Sequence, residues 1–446
     1  MVYLPHFPIP SSLGKAQIDY ETVFERMSEV LEKLNNPHKK LPKVIHVAGT
    51  NGKGSTAALL AKIFSCANYK THLYTSPHLH DCNERIVLNG EKISDIFLFE
   101  VMESVRIASQ NIKLSFMEAF TIGAFLAFSK VEADILIVEC GMGGRIDATN
   151  IIEQKLATII TPISFDHMEY LGNSIERIAL EKAMIMRPKT PLIVASQPKD
   201  ALRIIDILAK DQLIPTYYYD QDFSVMFDEE SKEFDVEFFG KKENYFLEKI
   251  PQPSLQGSHQ YINFSTAIAC ILAIKEEFPN LFNINQDHIN QATASVSWPN
   301  RLEKVNNNLN KILQNNKSEI WIDGAHNVAG AFALARWILE RKSEENFNKK
   351  IFVITGFSRN KCKKEFLENF RNVYDEIVSV TVDGEPYPEK AEVIAEIATS
   401  IQIKNHTCSD LLDAIHYIAT NNNYKEVLII ICGSLHLARD VKKFGL

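Results

Sequence analysis

The sequence predicts an α/β protein in two domains: a larger, P-loop-type domain with a mostly parallel sheet, followed by a smaller, Rossmann-like α/β domain. Three observations carry that expectation. Short apolar runs alternate with amphipathic helical stretches over most of the chain, which is the signature of an open α/β sheet. A glycine-rich turn, Gly49-Thr50-Asn51-Gly52-Lys53-Gly54, separates a β-branched run from a helical pattern. A second strand–helix series begins after Trp298-Pro299-Asn300. The boundary is predicted near residue 297, giving domains 1–297 and 298–446.

Taken in chain order, the segments 43–50, 72–76, 134–140, 157–163 and 191–196 are rich in Val, Ile and Leu. Such runs suit parallel strands covered on both faces. Helical patterns fill 54–67 and 174–187. From 217 to 246 aromatic and charged residues alternate, predicting a small antiparallel excursion appended to the first domain. In the second domain, strands are expected at 319–323, 350–356, 376–382 and 426–432, with a helix at 328–341. The stretch 306–317 is polar and Asn-rich and is expected to be a loop or hairpin insertion outside the core.

Composition narrows the function classes. With 46% hydrophobic and 23% charged residues in 446, the chain can build real cores and is unlike a disordered one. Its 48 basic against 56 acidic residues give a net charge of −8, which argues against an extended nucleic-acid surface. The start, MVYLPHFPIP, lacks the basic and apolar regions of a secretory signal. The apolar run at 120–128 is far short of the ~20 residues that cross a bilayer. Seven cysteines without a C-x-x-C pair read as scattered reduced thiols. A cytoplasmic monomer with no nucleic-acid or membrane partner is the expectation.

The sharpest local signal is VIHVAGTNGKGST at 44–56. Glycines let backbone N–H groups converge on a phosphate, and the following helix adds the positive end of its dipole. Lys53 offers a charge to the outer phosphates, and Ser55 or Thr56 a hydroxyl. The spacing differs from the standard P-loop, because Gly54 follows Lys53 where Ser or Thr is usual.

Seven segments in order then carry a resemblance. They are GTNGKGS, YTSPH with NERI (74–78 and 83–86), ECGMGGRIDATN (139–150), Asp166-His167, Glu181-Lys182-Ala183, WPNRLE (298–303) and DGAHN (323–327). Together they resemble the folylpolyglutamate synthase/dihydrofolate synthase family of Mur-ligase-type, ATP-dependent amide ligases. The resemblance implies an acid–amino-acid ligase that adds L-glutamate to dihydropteroate or folate through an acyl phosphate. Cell-wall Mur ligases share GTNGK, and a nucleotide-binding relative without turnover is a further alternative.

The resemblance also implies the site. Lys53, Lys182 and His167 would serve catalysis, and Asn51, Gly52, Lys53, Gly54, Ser55, Asn263, Arg301 and Asp323 would hold ATP. Ser76, Glu139 and His167 would bind one Mg²⁺, and Lys182, carbamylated by CO₂, a second. Ser115, Phe116, Met117, Glu118, Ile146, Asp147, Ala148 and His326 would line the substrate pocket. Three departures stand out: Met184 replaces the glycine expected in EKAGI, YETVFERM (20–27) replaces a G-L-E-R stretch, and 356–364 is basic where an acidic-lysine-acidic run is usual. For the basic stretch, a solvated helix start is the expectation.

Overall fold

The computed structural model describes residues 21–228, 231–305, 308–385, 387–423 and 425–443. Residues 1–10 and Tyr20, discussed above, lie outside them. The chain forms two compact units. One comprises the chain up to Ser254 together with Gln260–Ser297, and the other Leu255–His259 together with Trp298–Leu446.

In the first unit the strands are β1 (Lys43–Ala48), β2 (Thr71–Tyr74), β3 (Ile86–Leu88), β4 (Glu91–Lys92), β5 (Ile135–Glu139), β6 (Ala157–Ile160), β7 (Leu192–Val194) and β8 (Thr216–Tyr218). They make one sheet in the order β4-β3-β2-β5-β1-β6-β7-β8. The neighbours from β2 to β8 are parallel, and β3 and β4 add an antiparallel edge. A three-stranded antiparallel sheet follows, with β9 (Phe223–Phe227), β10 (Phe234–Phe239) and β11 (Asn244–Ile250). Its helices are α1 (Val23–Lys33), α2 (Lys53–Cys66), α3 (Asp95–Ala108), α4 (Phe116–Lys130), α5 (Met168–Leu171), α6 (Ile175–Ala183), α7 (Lys199–Asp211), α8 (His259–Glu277) and α9 (Gln286–Ser295).

Parallel strands need helical cover, and the cores show it. Val30 and Leu31 of α1, Val101 of α3 and Phe120 of α4 pack with Val44, Leu136 and Val138 of the central strands. Further along the sheet, Ile178 of α6 and Ile205 of α7 pack with Ile160, Leu192 and Val194. The strand stretches read from sequence all form, most of them one to three residues shorter at an end; 72–76 instead shifts to Thr71–Tyr74. The excursion is corrected at both edges. Tyr217 belongs to β8 of the main sheet, and the antiparallel part runs from Phe223 to Ile250. The short β3 and β4 gave no periodic run long enough to register.

The second unit holds β12 (Glu303–Lys304), β13 (Glu319–Ile322), β14 (Lys350–Thr355), β15 (Glu376–Val380), β16 (Asn405–Cys408) and β17 (Val427–Cys432). Their order is β12-β13-β17-β14-β15-β16, parallel throughout except for β12. One face is covered by α11 (Val328–Lys342), α12 (Lys363–Glu368) and α13 (Ala391–Ser400), the other by α10 (Asn308–Ile312), α14 (Leu411–Asn421) and α15 (Leu435–Lys443). The polar stretch 306–317 is therefore not outside the core: Leu309 and Leu313 are buried in it, two apolar side chains outnumbered locally by asparagines. Nor is the basic stretch 356–364 wholly solvated, because Lys363 is tucked against Glu389 at 3.0 Å.

Candidate active site

Open parallel sheets place ligands outside the carboxyl ends of their strands. Here the carboxyl ends of β2, β5, β1 and β6, four neighbours in the sheet, lead to Ser76, to Glu139 as the last residue of β5, to the glycine loop and to His167 respectively. The glycine loop is closed from two sides. Thr50 N and Asn51 N both donate to Pro162 O (3.0 and 3.2 Å), and the Thr50 hydroxyl bonds to Ser164 N and O. Gly52 then adopts φ 85° to start α2. A Cβ there would sit 2.2 Å from Asn263 Oδ1, so only glycine lets the loop meet α8. Asn263 itself is held by Gln260 Oε1 at 2.9 Å.

Polar groups of this loop fit a phosphate. Ser55 Oγ, in the first turn of α2, is buried without a hydrogen-bond partner. Lys53 Nζ folds back onto Gly49 O and Thr50 O (3.2 and 3.1 Å). A second amine joins it: Lys182 Nζ, from the last turn of α6, donates to Gly49 O at 2.7 Å. Lys182 is buried, and burial first, then the Lys53 charge, lower its pKa to about 7.

Lys182 is delivered by close packing of α6 on the loop 141–150. Gly144 lies under Glu181 O and Lys182 O, where a Cβ would approach to 2.7 and 2.9 Å. Arg145 N donates to Glu181 O (2.8 Å), and Arg145 Nε to Glu181 Oε1 (2.9 Å). Asn150 is the hub: Nδ2 donates to Arg145 O and Met184 O (both 3.2 Å), and Oδ1 accepts from Lys155 Nζ (2.8 Å) and Arg187 Nη2 (2.9 Å). Met184 takes φ −68°, an ordinary conformation, so its side chain brings no backbone strain where the resemblance expects glycine.

Glu139 is buried at the end of β5, and Ser76 N donates to its Oε2 at 3.3 Å. His167 caps α5 with φ 50°, its Nε2 3.9 Å from Asp166 Oδ2. Among the described residues no group of three or more His, Cys, Asp and Glu side chains closes on a metal. A cation here would draw on no more than Glu139 and His167 from that set, together with serine oxygen and water. Magnesium accepts such a site, since it keeps several waters.

The substrate-side residues divide. Ser76 Oγ, Met117 Cε and Asp147 Oδ2 converge on Gly141, each 3.4 to 3.5 Å from the Cβ position of that residue. Asp147 is committed to the loop itself: Oδ2 accepts from Gly141 N and Met142 N (2.9 Å each), and Oδ1 from Thr149 N (2.9 Å). Ser115 and Glu118 form a capping box at the start of α4, and Glu118 also pairs with Arg26 at 2.7 Å. Phe116 stacks on Phe120 with centroids 5.4 Å apart. Ile146 is partly exposed, and Ala148 buried, in the same loop.

One residue was missed by sequence reasoning. Arg85, from NERI, is buried, with its guanidinium 5.7 Å from the ring centroids of both Phe116 and Phe120. Nε donates to His78 Nδ1 (2.8 Å) and Nη1 to Met117 Sδ (3.5 Å). Among the described residues no carboxylate lies in ion-pair range of it, and burial lowers its pKa. The signal was present: a cation directly before an apolar strand.

In the second unit, Asp323 follows β13 and is buried. Its Oδ2 accepts from Leu302 N (2.9 Å) and Oδ1 from Ala325 N (2.7 Å), while burial raises its pKa against the Arg301 charge. It is not the cap of α11, which is Asn327, accepting from Gly330 N at 2.9 Å. His326 Nδ1 lies 2.8 Å from Gly324 O, and Arg301 Nη1 donates to Asn300 O at 2.9 Å.

Comparison with known proteins agrees with this layout. Residues 47–271 match the family model for the Mur ligase middle domain, and 305–444 that for the dihydrofolate synthetase C-terminal domain. Dihydrofolate synthase/folylpolyglutamate synthase of Bacillus subtilis is 31% identical over 438 residues, 96% of each chain. Folylpolyglutamate synthase of Mycobacterium tuberculosis complexed with ADP superposes with a TM-score of 0.81 at 27% identity, covering 96% of this chain and 95% of that one. The bifunctional enzyme of Yersinia pestis complexed with AMPPNP and a Mn ion gives 0.80 at 25% identity, covering 94% and 92%. The chain belongs to the dihydrofolate synthase/folylpolyglutamate synthase family of Mur-type ligases.

Proposed function

We propose that this protein is an ATP-dependent ligase that joins L-glutamate to dihydropteroate and extends folates with further glutamates. The observation that carries the reading is the meeting of Lys53, Lys182 and the orphaned Ser55 hydroxyl on one glycine loop, beside Glu139. The ATP-binding domain is the part before residue 298, less the segment 255–259 that groups with the second unit, and 298–446 is the second ligase domain. A nucleotide enters with its phosphates against residues 51–55, Lys53 leaving its carbonyl partners for the outer phosphates, while Asn263 holds Gly52 in register. In the second domain Arg301, Asp323 and His326 are the proposed ligand groups, since a guanidinium matches a phosphate or carboxylate fork.

Glu139, Ser76 and His167 would hold a divalent cation, Mg²⁺, which would offset phosphate charge. Lys182, neutral in good part near pH 7, adds CO₂ with loss of a proton, and the carbamate supplies oxygens for a second ion. The acceptor acid lies along Phe116, Met117 and the 146–148 turn, where Arg85 faces its charge. Positioning and fixed charges then favour transfer of the phosphoryl group to the acid, and displacement of phosphate by the glutamate amine. The same reading takes the protein to work as a cytoplasmic monomer without nucleic-acid or membrane partners. No helix among the described residues is long and apolar enough to cross a membrane.

The test is purified protein with ATP, Mg²⁺, glutamate and either dihydropteroate or tetrahydrofolate. ADP release that needs both acid and amine is expected, and none with any pterin acid defeats the reading. Arg85→Met keeps the bulk between the two rings but removes the charge. The KM for the pterin acid is expected to rise about 10- to 100-fold, the worth of a charged hydrogen bond, with the KM for ATP within a factor of two. An unchanged acid KM removes Arg85 from the pocket.

A further inference from the structure

A histidine stands in the middle of β1. His46 is wholly enclosed, where a central parallel strand calls for an apolar side chain. Its Nε2 lies 2.8 Å from Thr149 Oγ1 and 3.1 Å from Cys140 Sγ, while Nδ1 is buried without a hydrogen-bond partner. The hydrogen positions follow from the network. Thr149 Oγ1 has one hydrogen and gives it to Asp147 Oδ1, because an ionised carboxylate only accepts. Two lone pairs do not meet at 2.8 Å, so the hydrogen between His46 and Thr149 belongs to Nε2. The ring is therefore neutral with Nδ1 bare, and burial holds its pKa well below the usual value.

The donors run in one direction, from His46 through Thr149 to Asp147. The Asp147 carboxylate also accepts from three main-chain amides of its own loop, Gly141 N, Met142 N and Thr149 N (2.9 Å each). Gly141 is where Ser76 Oγ and Met117 Cε approach that loop, 3.5 and 3.4 Å from its Cβ position. We propose that His46 is a positioning residue for the ligase. By keeping the Thr149 hydrogen on Asp147, it sets the Gly141–Met142 turn against Ser76 and Met117, and with it the seat of the pterin acid. This rests on the reading above that Ser76 and Met117 serve the metal and the acid. Packing alone does not call for the ring, since an apolar side chain would fill the strand position without a bare buried nitrogen.

Steady-state kinetics and Tm, measured together on three variants, separate positioning from packing. His46→Leu fills the space but removes the donor. His46→Gln returns an Nε2–H donor and adds a buried oxygen without a partner, so its Tm is expected to be the lower of the two. For His46→Leu, kcat/KM for the pterin acid is expected to fall about tenfold, the scale of one hydrogen bond. In His46→Gln it recovers to within about threefold of wild type, and the KM for ATP stays within a factor of two in both. Thr149→Val breaks the line in the middle and is expected to lose at least as much as His46→Leu. Combining those two should add little, because they cut the same chain. Wild-type kcat/KM in His46→Leu overturns the proposal. So do activities that follow Tm, with leucine above glutamine, and losses that add in the double variant. A wild type that releases no ADP with any pterin acid sinks the ligase reading and this proposal with it. A wild type that turns over beside an unaffected His46→Leu sinks the proposal alone.

Discussion

Lys182→Met should lower turnover by about 10²–10³-fold or more and yet leave a protein at least as stable as wild type at pH 6. The two effects have one origin. Lys182 is an amine buried beside a second amine, with its pKa held near 7, mainly by burial and then by Lys53. In the unfolded chain the same group protonates at its ordinary 10.5. Below pH 7 the amine is charged in both states, so the folded protein bears the whole desolvation cost. Between pH 7 and 10.5 the unfolded chain binds the extra proton, stability rises with pH, and the cost fades. Methionine keeps the length of the side chain without that cost, and Gly49 O still accepts from Lys53. The Tm advantage of the variant should therefore be largest at or below pH 6 and shrink towards pH 10. Activity should not return at any pH, because methionine cannot take up CO₂. Partial rescue by a short carboxylate such as acetate would support an oxygen-donor role. Unchanged turnover would remove Lys182 from the chemistry, and a lower Tm at pH 6 would contradict the burial argument.

Much of the sheet and the glycine loop is legible in the sequence. Strand ends are visible in sequence as apolar runs stopping at Gly49 or Glu139, and in an open sheet those ends are where ligands bind. The packing of Lys182 was not legible, because a lysine on an amphipathic helix looks the same whether it faces water or a loop. Only the approach of Gly144 to Glu181 and Lys182 turns that face inward. Asn150, Lys155 and Arg187 were invisible for a similar reason: each is an ordinary polar residue, and their meaning lies in contacts some 30 residues apart in the chain. Asp147 and Glu118 show the converse. Family likeness marks them as substrate groups, whereas their carboxylate oxygens are engaged by backbone amides and Arg26. They fix loop 141–149 and the first turn of α4.

Glu139→Gln separates charge from shape at the proposed metal site. Glutamine fills the same volume at the end of β5 and still offers an oxygen to Ser76 N, which now donates to Oε2 at 3.3 Å. What disappears is the negative charge, the hard-oxygen ligand a small divalent cation prefers. The Mg²⁺ concentration for half-maximal activity should rise at least about tenfold, and turnover at saturating Mg²⁺ should fall about 10²–10³-fold, the scale of losing one charge-stabilising group. Binding of ADP in the presence of EDTA should be unchanged, since the glycine loop and Lys53 are untouched. Arg85 offers an internal control. The Glu139 charge is one of those that offset the burial of that guanidinium, so its loss leaves the Arg85 charge less compensated toward an incoming acid. The KM for the pterin acid should therefore hold steady or fall while turnover collapses. A variant with wild-type Mg²⁺ dependence would place the metal elsewhere. One whose acid and Mg²⁺ constants rise together would indicate a collapsed loop, not a missing ligand.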